Sequence, residues 1–492
     1  MSKIKDCGQV FTPDYLVRNI LDTAGYLGEN VLSKHIIDNS CGDGAFLMEI
    51  VERYCSEFFK TNNDINVLSL ELQTYIHGIE SDEIAYKSCL KNLDYVVSKY
   101  NLFDVKWDVL FGDSLKITKY NGMMDYVVGN PPYVRVHNFK ENYECIKKFS
   151  FSNGGMSDLY LVFFEIGFNM LKKGGYLCYI TPSSWINSVA GNVLRQYVKN
   201  KSNIVQLIDL GHYQPFKATT YTLISLFQKD VIHTNFDFYE YDEFCKDKVF
   251  VEKLTIDDVF INDIIYLSSK ANLDLLRDIK YDLVKQYVFV KNGFATLNDN
   301  IFIKQEFDFE DYVIPICKAS TGKWYKAIFP YDKQGVPILR DLLFQNEKMR
   351  IYFLENQDVL LKDKTEKENP YWYLYGRTQA LKDVYKDKYS VSTVVKDVNS
   401  IKLNFVPAGS GVYSGLYIMT KVPLNVLEQA LFCEDFVGYI RLLRKYKSGG
   451  YYTFNSKELE TYLNYKLSKI INNSHEKYTI EQSVFGDNRT LF

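Results

Sequence analysis

The chain has 492 residues, enough for about two to four domains of ordinary size. Hydrophobic residues make up 47% of it and charged residues 24%, which excludes an intrinsically disordered chain and a fibrous repeat. The net charge of −3 argues against indiscriminate binding of polyanions. The charge is uneven, however, because residues 285–492 hold 29 Lys and Arg against 24 Asp and Glu, and residues 1–284 hold 29 against 37. This asymmetry indicates that the C-terminal part faces something negative, with chance variation as the alternative.

The sequence predicts a cytoplasmic protein with no membrane span and no metal. Its most apolar run, residues 159–171, is interrupted by Glu165 and Asn169, and the first residues contain no apolar segment typical of a secretory signal. The nine cysteines are scattered without a CxxC pair, and the six histidines lack metal-ligand spacing. We therefore expect reduced thiols, mostly buried, and no disulfide framework.

Short apolar runs alternate with amphipathic stretches along the first 230 residues. The predicted strands cover residues 35–40, 75–81, 109–114, 124–130, 175–182, 203–211 and 220–228. Repeated strand-helix units predict an α/β fold with a mainly parallel sheet and helices on both faces. Ligands bind beyond the carboxyl ends of the strands in such sheets. The residues to examine are therefore Asp38, Glu80, Asp113 and Asn130.

A glycine-rich segment, DNSCGDG at residues 38–44, joins the first predicted strand to a helix. Gly42 and Gly44 allow a ligand to approach the backbone, and the helix N-terminus offers free N–H groups. Glu80, at the end of the second strand, is placed to accept hydrogen bonds from a ribose diol, and Asp113 to accept one from an adenine amino group. Together these residues predict a nucleoside cofactor pocket. The alternative is three unrelated turn carboxylates.

A second cluster, Asn130-Pro131-Pro132-Tyr133, follows the fourth strand. An exocyclic aromatic amine is a poor nucleophile because its lone pair is delocalised into the ring. The Asn130 side-chain oxygen and the Pro131 carbonyl can accept its N–H bonds and favour a pyramidal nitrogen, while Pro132 helps to stiffen the turn. Tyr133 can stack on a planar substrate. The alternative is a structural Pro-Pro turn capped by Asn130.

The order of these motifs, with GQVFTP at residues 8–13 ahead of them, resembles the TaqI-type, gamma-class DNA adenine-N6 methyltransferases. The resemblance implies a Rossmann-like fold that uses S-adenosylmethionine and acts on a flipped adenine of double-stranded DNA. It also implies Val10 and Phe216 as substrate contacts. The cofactor-binding residues that it implies are Thr12, Asp38, Cys41, Gly42, Gly44, Glu80, Asp113 and Phe163. Ordinary core packing is the alternative for Phe163 and Phe216.

Two residues depart from the pattern of that family. Ser81 replaces the usual apolar residue after the ribose acid, and Ser114 stands where a large apolar residue often packs on the cofactor adenine. We therefore expect weaker binding of the cofactor. The assignment of these residues to a cofactor site is unchanged.

The remaining half of the chain predicts a second, α+β DNA-recognition domain, since an extruded adenine requires a grip on the flanking duplex. Segments 291–296 and 372–379 resemble parts of the TaqI-type specificity domain. A basic turn precedes the sequence SGGYY. The implied DNA contacts are Trp372, Arg377, Arg441, Arg444, Lys447 and Tyr451. The alternatives are a core position for Trp372 and a solvated surface for the basic turn.

We thus expect a catalytic domain over residues 1–240, a connecting region over 241–284, a target-recognition domain over 285–470 and a tail over 471–492. The predicted activity is sequence-specific N6-adenine methylation of DNA, within a restriction-modification system or as an orphan methylase. The alternatives are an NPPY methyltransferase acting on RNA or a protein glutamine amide, and a non-catalytic DNA-binding module. With seven residues before Gly8 and no PD…(D/E)xK arrangement, we expect no nuclease in this chain. Whether a separate restriction endonuclease accompanies it stays open.

Overall fold

The computed structural model describes residues 12–134, 143–152, 158–216, 220–282, 284–362 and 370–473. The chain divides into two compact units, Met1–Asp274 and Leu275–Phe492. No helix among the described residues is both long and apolar enough to cross a membrane.

Nine strands of the first unit form one sheet within the described part of the chain. These strands are β1 (Ile36–Asp38), β2 (Ile76–Glu80), β3 (Asp108–Phe111), β4 (Met124–Gly129), β5 (Leu171–Pro182), β6 (Ile204–Asp209), β7 (Thr222–Gln228), β8 (Phe236–Asp242) and β9 (Asp247–Leu254). Their order across the sheet is β3-β2-β1-β4-β5-β7-β6-β8-β9. The first five strands in this order are parallel, and β7 runs antiparallel to both of its neighbours.

Helices connect most of these strands. Those of the first unit are α1 (Asp14–Thr23), α2 (Ala45–Phe58), α3 (Ile65–Tyr75), α4 (Glu83–Ser98), α5 (Tyr143–Ile146), α6 (Leu159–Met170), α7 (Asn192–Lys201) and α8 (Ile256–Val259). Asp82 is the N-cap of α4, and its carboxylate accepts from the amides of Ile84 and Ala85 and so satisfies two donors of the first turn.

The two faces of the sheet carry separate sets of helices. Side chains alternate between the faces along a strand. On β5, Cys178 and Ile180 join the core formed with α1, α2 and α4. Tyr179 points the other way, where the ring of Phe164 on α6 lies 5.6 Å from its own ring. The predicted α/β fold with helices on both faces is therefore confirmed, and its strand order is a doubly wound, Rossmann-like one.

The first unit differs from the predicted boundary at residue 240, which falls inside β8. β8 pairs parallel to β6, and β9 pairs antiparallel to β8, so both strands extend the sheet. A short antiparallel pair, β10 (Phe260–Ile261) and β11 (Ile264–Ile265), follows. A further helix, α9 (Lys270–Tyr281), crosses the division between the units.

The second unit is built from smaller sheets. Its strands are β12 (Val288–Asn292), β13 (Ile303–Lys304), β14 (Val313–Lys318), β15 (Lys323–Ile328), β16 (Lys388–Val391), β17 (Val394–Val395), β18 (Leu403–Val406), β19 (Gly411–Tyr413), β20 (Leu416–Thr420), β21 (Tyr446–Lys447) and β22 (Tyr451–Thr453). They pair in the orders β12-β20-β16-β18, β13-β15-β14-β19 and β17-β22-β21. Among these pairs only β14 and β19 are parallel within the described residues.

Helices complete the second unit, without the regular strand-helix alternation of the first. They are α10 (Asp299–Phe302), α11 (Arg340–Leu343), α12 (Glu347–Glu355), α13 (Gln357–Lys362), α14 (Leu424–Leu431), α15 (Glu434–Leu442) and α16 (Ser456–Asn473). The predicted α+β character of this half is confirmed. Of the predicted tail, residues 474–492 lie outside the described residues.

Candidate active site

The carboxyl ends of three adjacent strands bring the predicted site residues together. β1 lies between β2 and β4 and runs parallel to both. Asp38 and Glu80 therefore end neighbouring strands, and Asn130 directly follows a third. The loop from Asn39 to Gly44 leads from the same edge into α2.

Two glycines shape this loop. Gly42 has a φ of +58° and Gly44 a φ of +94°, both in the left-handed region that glycine tolerates best. A Cβ added at Gly44 would lie 2.8 Å from Cys89 Sγ, so the loop packs tightly against α4. Gly44 is the N-cap of α2, and no side chain caps that helix end. The arrangement suits an anionic or strongly polar ligand group at the start of α2.

Asp38 is almost completely buried, at 1% exposure, and its Oδ1 accepts the Ser40 amide at 3.0 Å. Burial raises the pKa of this carboxyl to about 7; the Ser40 N–H opposes the rise, and the nearby Glu80 carboxylate adds to it. A cation brought beside Asp38 would favour its ionised form, because opposite charges stabilise each other in a buried site.

The Glu80 carboxylate is held by backbone amides. Its Oε2 accepts from Gly42 N at 2.8 Å, and its Oε1 accepts from Ser81 N at 2.9 Å and Asp82 N at 2.7 Å. A carboxylate offers about four acceptor positions, so these three bonds leave room for a further donor such as one ribose hydroxyl. Ser81 thus contributes its amide to this site, which the sequence did not predict.

Asn39 and Ser114 tie the neighbouring loops to each other. Ser114 Oγ donates to the Asn39 carbonyl at 2.5 Å, and Tyr179 Oη on β5 donates to Asn39 Oδ1 at 2.9 Å. Asp113 accepts the Leu115 amide at 3.0 Å through its Oδ1 and keeps its carboxylate partly exposed. Ser114 therefore links the loop after β3 to the loop after β1. Asn39 and Ser114 follow the ends of predicted strands, and that position could have indicated a role at the site. Tyr179 lies inside an apolar strand, where the sequence gives no such indication.

The turn after β4 starts at a glycine whose conformation other residues rarely adopt. Gly129 has a φ of +148°, and a Cβ at this position would lie 2.6 Å from Asp38 Oδ1. The next residue, Asn130, donates from Nδ2 to Thr12 Oγ1 at 3.1 Å. Thr12 is 7% exposed. The turn is thereby joined to the start of α1, and the contact brings together two residues that the sequence separates by 118 positions.

Aromatic rings surround Tyr133 at the end of this turn. Tyr133 Oη donates to the Ile180 carbonyl at 3.1 Å. Its ring meets Tyr160 of α6 at a centroid distance of 6.5 Å and Phe216 at 6.2 Å, both edge to face. Burial raises the pKa of Tyr133 well above its ordinary value, so its hydroxyl stays protonated. Phe216 is 7% exposed and packs on the residue predicted to stack on the substrate.

Three further predicted residues belong to the first part of the chain. Phe163, on α6, is buried. Cys41 is also buried, with its thiol beside Cys89, and this contact together with burial raises the pKa of the Cys41 thiol. Its amide donates to the Ile79 carbonyl at 3.0 Å. Val10 lies outside the described residues.

The predicted DNA contacts of the second unit fall into two environments. Trp372 is 4% exposed and packs edge to face on Phe353 and Tyr373, which matches the alternative of a core side chain. Arg377 is exposed.

The basic turn forms a surface around β17, β21 and β22, which we call the basic hairpin face (Lys396, Arg441, Arg444 and Lys447). Arg441 donates to the Lys396 carbonyl at 3.2 Å, and Arg444 donates to Tyr446 Oη at 3.1 Å. Tyr451 stands opposite Lys447 in the β21–β22 pair. Lys396 was not predicted as a DNA contact. It precedes the other residues of the face by about 50 positions in the sequence, and no motif surrounds it.

Among the described residues, no group of three or more His, Cys, Asp or Glu side chains is arranged to hold a metal ion.

Comparisons with known proteins find relatives among restriction-modification enzymes. The model of the Eco57I restriction-modification methylase family matches residues 46–216. The type II restriction enzyme and methyltransferase RM.Eco57I of Escherichia coli is 25% identical over 85% of this chain and 52% of its own length. The type II methyltransferase M.BstVI of Geobacillus stearothermophilus is 25% identical over 74% of this chain and 73% of its own. The chain thus spans about half the length of RM.Eco57I.

One solved structure aligns with most of the chain. The type IIL restriction-modification enzyme MmeI, determined in complex with DNA, aligns with a TM-score of 0.62 at 11% identity over 90% of this chain and 63% of its own. This likeness concerns the fold. The predicted resemblance to restriction-modification methyltransferases is confirmed, and the narrower TaqI-type, adenine-specific assignment stays a prediction.

Proposed function

We propose that the protein transfers a methyl group from S-adenosylmethionine to N6 of an adenine flipped out of double-stranded DNA. The observation that carries this proposal is the position of the Asn130–Tyr133 turn. It follows β4 directly beside β1, whose own end leads into the glycine loop and the buried carboxyl of Asp38. The group that would accept hydrogen bonds from the substrate amine and the proposed nucleoside pocket therefore lie at the same edge of the sheet.

The residues around the glycine loop fit S-adenosylmethionine. The buried Asp38 carboxyl, with its pKa raised to about 7, suits a cationic group, and Glu80 keeps capacity for a ribose hydroxyl. Phe163 and Asp113 are proposed to contact the adenine part. S-adenosylmethionine, when bound, supplies a methyl group on a positively charged sulfur.

The residues of the turn would hold the substrate amine. The Asn130 side-chain oxygen and the Pro131 carbonyl accept its two N–H bonds, so the nitrogen lone pair is freed from the ring and directed at the methyl group. These bonds strengthen as positive charge develops on nitrogen, and they therefore contribute chiefly in the transition state. The new bond between nitrogen and the methyl carbon would replace the bond between that carbon and sulfur, which leaves a neutral thioether, and one N–H proton would then pass to water.

Tyr133 would provide the stacking surface for the base. Its hydroxyl bond to Ile180 fixes the ring, so little conformational freedom is lost when a base stacks on it. Phe216 lies edge-on against that ring and would contact the base from the side.

The second unit would bind the DNA duplex on either side of the flipped adenine. The basic hairpin face combines cationic groups with Gly449 and Gly450, whose φ values of +76° and +79° favour glycine, and the lack of side chains there lets a phosphate approach the backbone. Such contacts position a protein on DNA without reading its sequence. Arg377 and Tyr451 are further proposed contacts. We also propose a cytoplasmic location and a role in a restriction-modification system.

The test is transfer of labelled methyl groups to duplex DNA, RNA and protein. We expect label in DNA, recovered as N6-methyladenine, and a fall in rate of about 100-fold for Asn130→Ala with cofactor affinity changed less than about twofold. Asn121→Ala, which removes an exposed amide, serves as the control and should keep the wild-type rate. Label in RNA or in a glutamine amide, with none in DNA, would support the runner-up activity of an NPPY methyltransferase on those substrates.

A further inference from the structure

We propose that Thr12 is a positioning residue that holds the Asn130 amide in place for the substrate amine. The inference rests on the proposed function, because it concerns how Asn130 meets the substrate amine. Thr12 Oγ1 accepts from Asn130 Nδ2 at 3.1 Å, in a largely buried setting. With Nδ2 directed at Thr12, the carbonyl end of the amide points away from it.

The orientation matters because the two ends of an amide differ chemically. The oxygen accepts hydrogen bonds and the NH2 group donates them, and a half-turn of the terminal bond exchanges their places. A substrate amine donates its N–H bonds and needs the oxygen. Were the amide reversed, two donors would face each other. The bond from Nδ2 to Thr12 Oγ1 therefore holds the side chain where its oxygen can meet the amine.

Both partners of this bond sit on stiff backbone. Thr12 is followed by Pro13, whose carbonyl accepts the amides of Leu16 at 2.9 Å and Val17 at 3.1 Å to start α1. Leu16 and Val17 are buried to 0% and 1% exposure. On the other side, Asn130 stands between β4 and two prolines. A side chain held on rigid elements keeps its partner within the narrow range of geometry that catalysis requires.

This role differs from the one that the family resemblance implies for Thr12, which is a contact with the cofactor. A cofactor contact would appear in the dissociation constant of S-adenosylmethionine. A positioning role would appear in kcat at saturating cofactor, with binding left intact.

The experiment compares Thr12→Val, which has nearly the same shape but no hydroxyl, with Thr12→Ser, which keeps the acceptor. In the full-length protein we expect Thr12→Val to lower kcat about tenfold, as expected for one lost hydrogen bond that matters in the transition state. Calorimetry should give a cofactor dissociation constant within about twofold of the wild type. Thr12→Ser should restore most of the rate.

A double-mutant cycle checks that Thr12 acts through Asn130. In the Asn130→Ala background, Thr12→Val should cause no further loss in single-turnover rate, because the amide that Thr12 holds is gone. An equal further loss there, a raised cofactor dissociation constant with unchanged kcat, or a Ser variant as slow as Val would each overturn the inference. A wild-type protein that transfers no methyl group to DNA would instead overturn the proposed function.

Discussion

The buried carboxyl of Asp38 should make the free energy of unfolding depend on pH. Its pKa is raised from 3.8 to about 7 in the folded protein, so the folded state binds more protons than the unfolded state between those values. Stability should therefore fall as pH rises across this window. In Asp38→Asn this contribution is absent, and its unfolding free energy should vary less between about pH 4 and 7.

Urea unfolding of both proteins at a series of pH values measures the difference. Asp104→Asn, a change at an exposed carboxylate, is the matched control and should follow the wild type. An Asp38→Asn protein with the wild-type slope would show that this carboxyl is ionised in the folded protein throughout.

Gly129 is a second residue whose identity the geometry requires. An alanine there combines an unfavourable φ with a Cβ 2.6 Å from Asp38 Oδ1. We expect Gly129→Ala to destabilise the protein by about 1–3 kcal/mol and to lower the methylation rate through displacement of the Asn130 turn. Gly438→Ala is the control: this glycine lies inside α15 with nothing within 4 Å, so alanine there should be neutral or slightly stabilising. Thermal unfolding distinguishes the two, and equal midpoints would contradict the prediction.

Three tyrosines link the elements on either side of the candidate site. The hydroxyls of Tyr15 on α1 and Tyr213 hydrogen-bond to each other, and the ring of Tyr213 stacks on Tyr241 of β8 at 5.2 Å. Lys246, between β8 and β9, places its Nζ 5.3 Å from the Tyr15 ring centroid. Tyr15 lies three residues after Thr12 and Tyr213 three residues before Phe216. The β8–β9 hairpin thus supports the segments that carry both contacts.

Removing either hydroxyl should weaken this link. We expect Tyr15→Phe and Tyr213→Phe each to cost about 1 kcal/mol of unfolding free energy, and the double variant to cost no more than either alone, because both remove the same bond. Tyr95→Phe, at an exposed tyrosine of α4, should cost nothing measurable. Fully additive losses in urea unfolding would mean that the two hydroxyls act independently.

Most elements of the first sheet were predictable because buried parallel strands are continuous apolar runs. β8 and β9 were missed since they are partly exposed and rich in Asp, Glu and Lys, which weakens the apolar signal. β5 starts at Leu171 rather than at residue 175, since the apolar end of α6 runs directly into it. Local pattern identifies a strand well when one environment surrounds its whole length.

The site was predictable only where topology alone brings residues together. Asp38, Glu80 and Asn130 end neighbouring parallel strands, and the strand-end rule sufficed for them. The contact between Thr12 and Asn130 depends on where α1 packs, which no local pattern encodes. Trp372 was predicted to contact DNA but is buried. A large aromatic residue looks the same in the sequence whether it lies in a core or on a DNA-binding surface.

At the scale of the whole molecule, the uneven charge of the chain predicts how strongly DNA binding depends on salt. The second half carries the net positive charge, and the basic hairpin face concentrates part of it on one surface. Each phosphate neutralised on duplex DNA contributes about −0.9 to the slope of log affinity against log salt concentration. Replacing Lys396, Arg441 and Lys447 together by serine should therefore reduce the magnitude of that slope by about 2 to 3.

The loss should be uniform across DNA sequences, because phosphate contacts carry no sequence information. The control replaces Lys333, Lys348 and Lys382, which are exposed elsewhere in the second unit, and so makes the same change in net charge. If the face binds phosphates, fluorescence anisotropy between 50 and 200 mM salt, about the range over which such contacts dominate, will separate the two triple variants. Identical slopes would mean that general charge attracts the DNA and that the duplex lies on another surface.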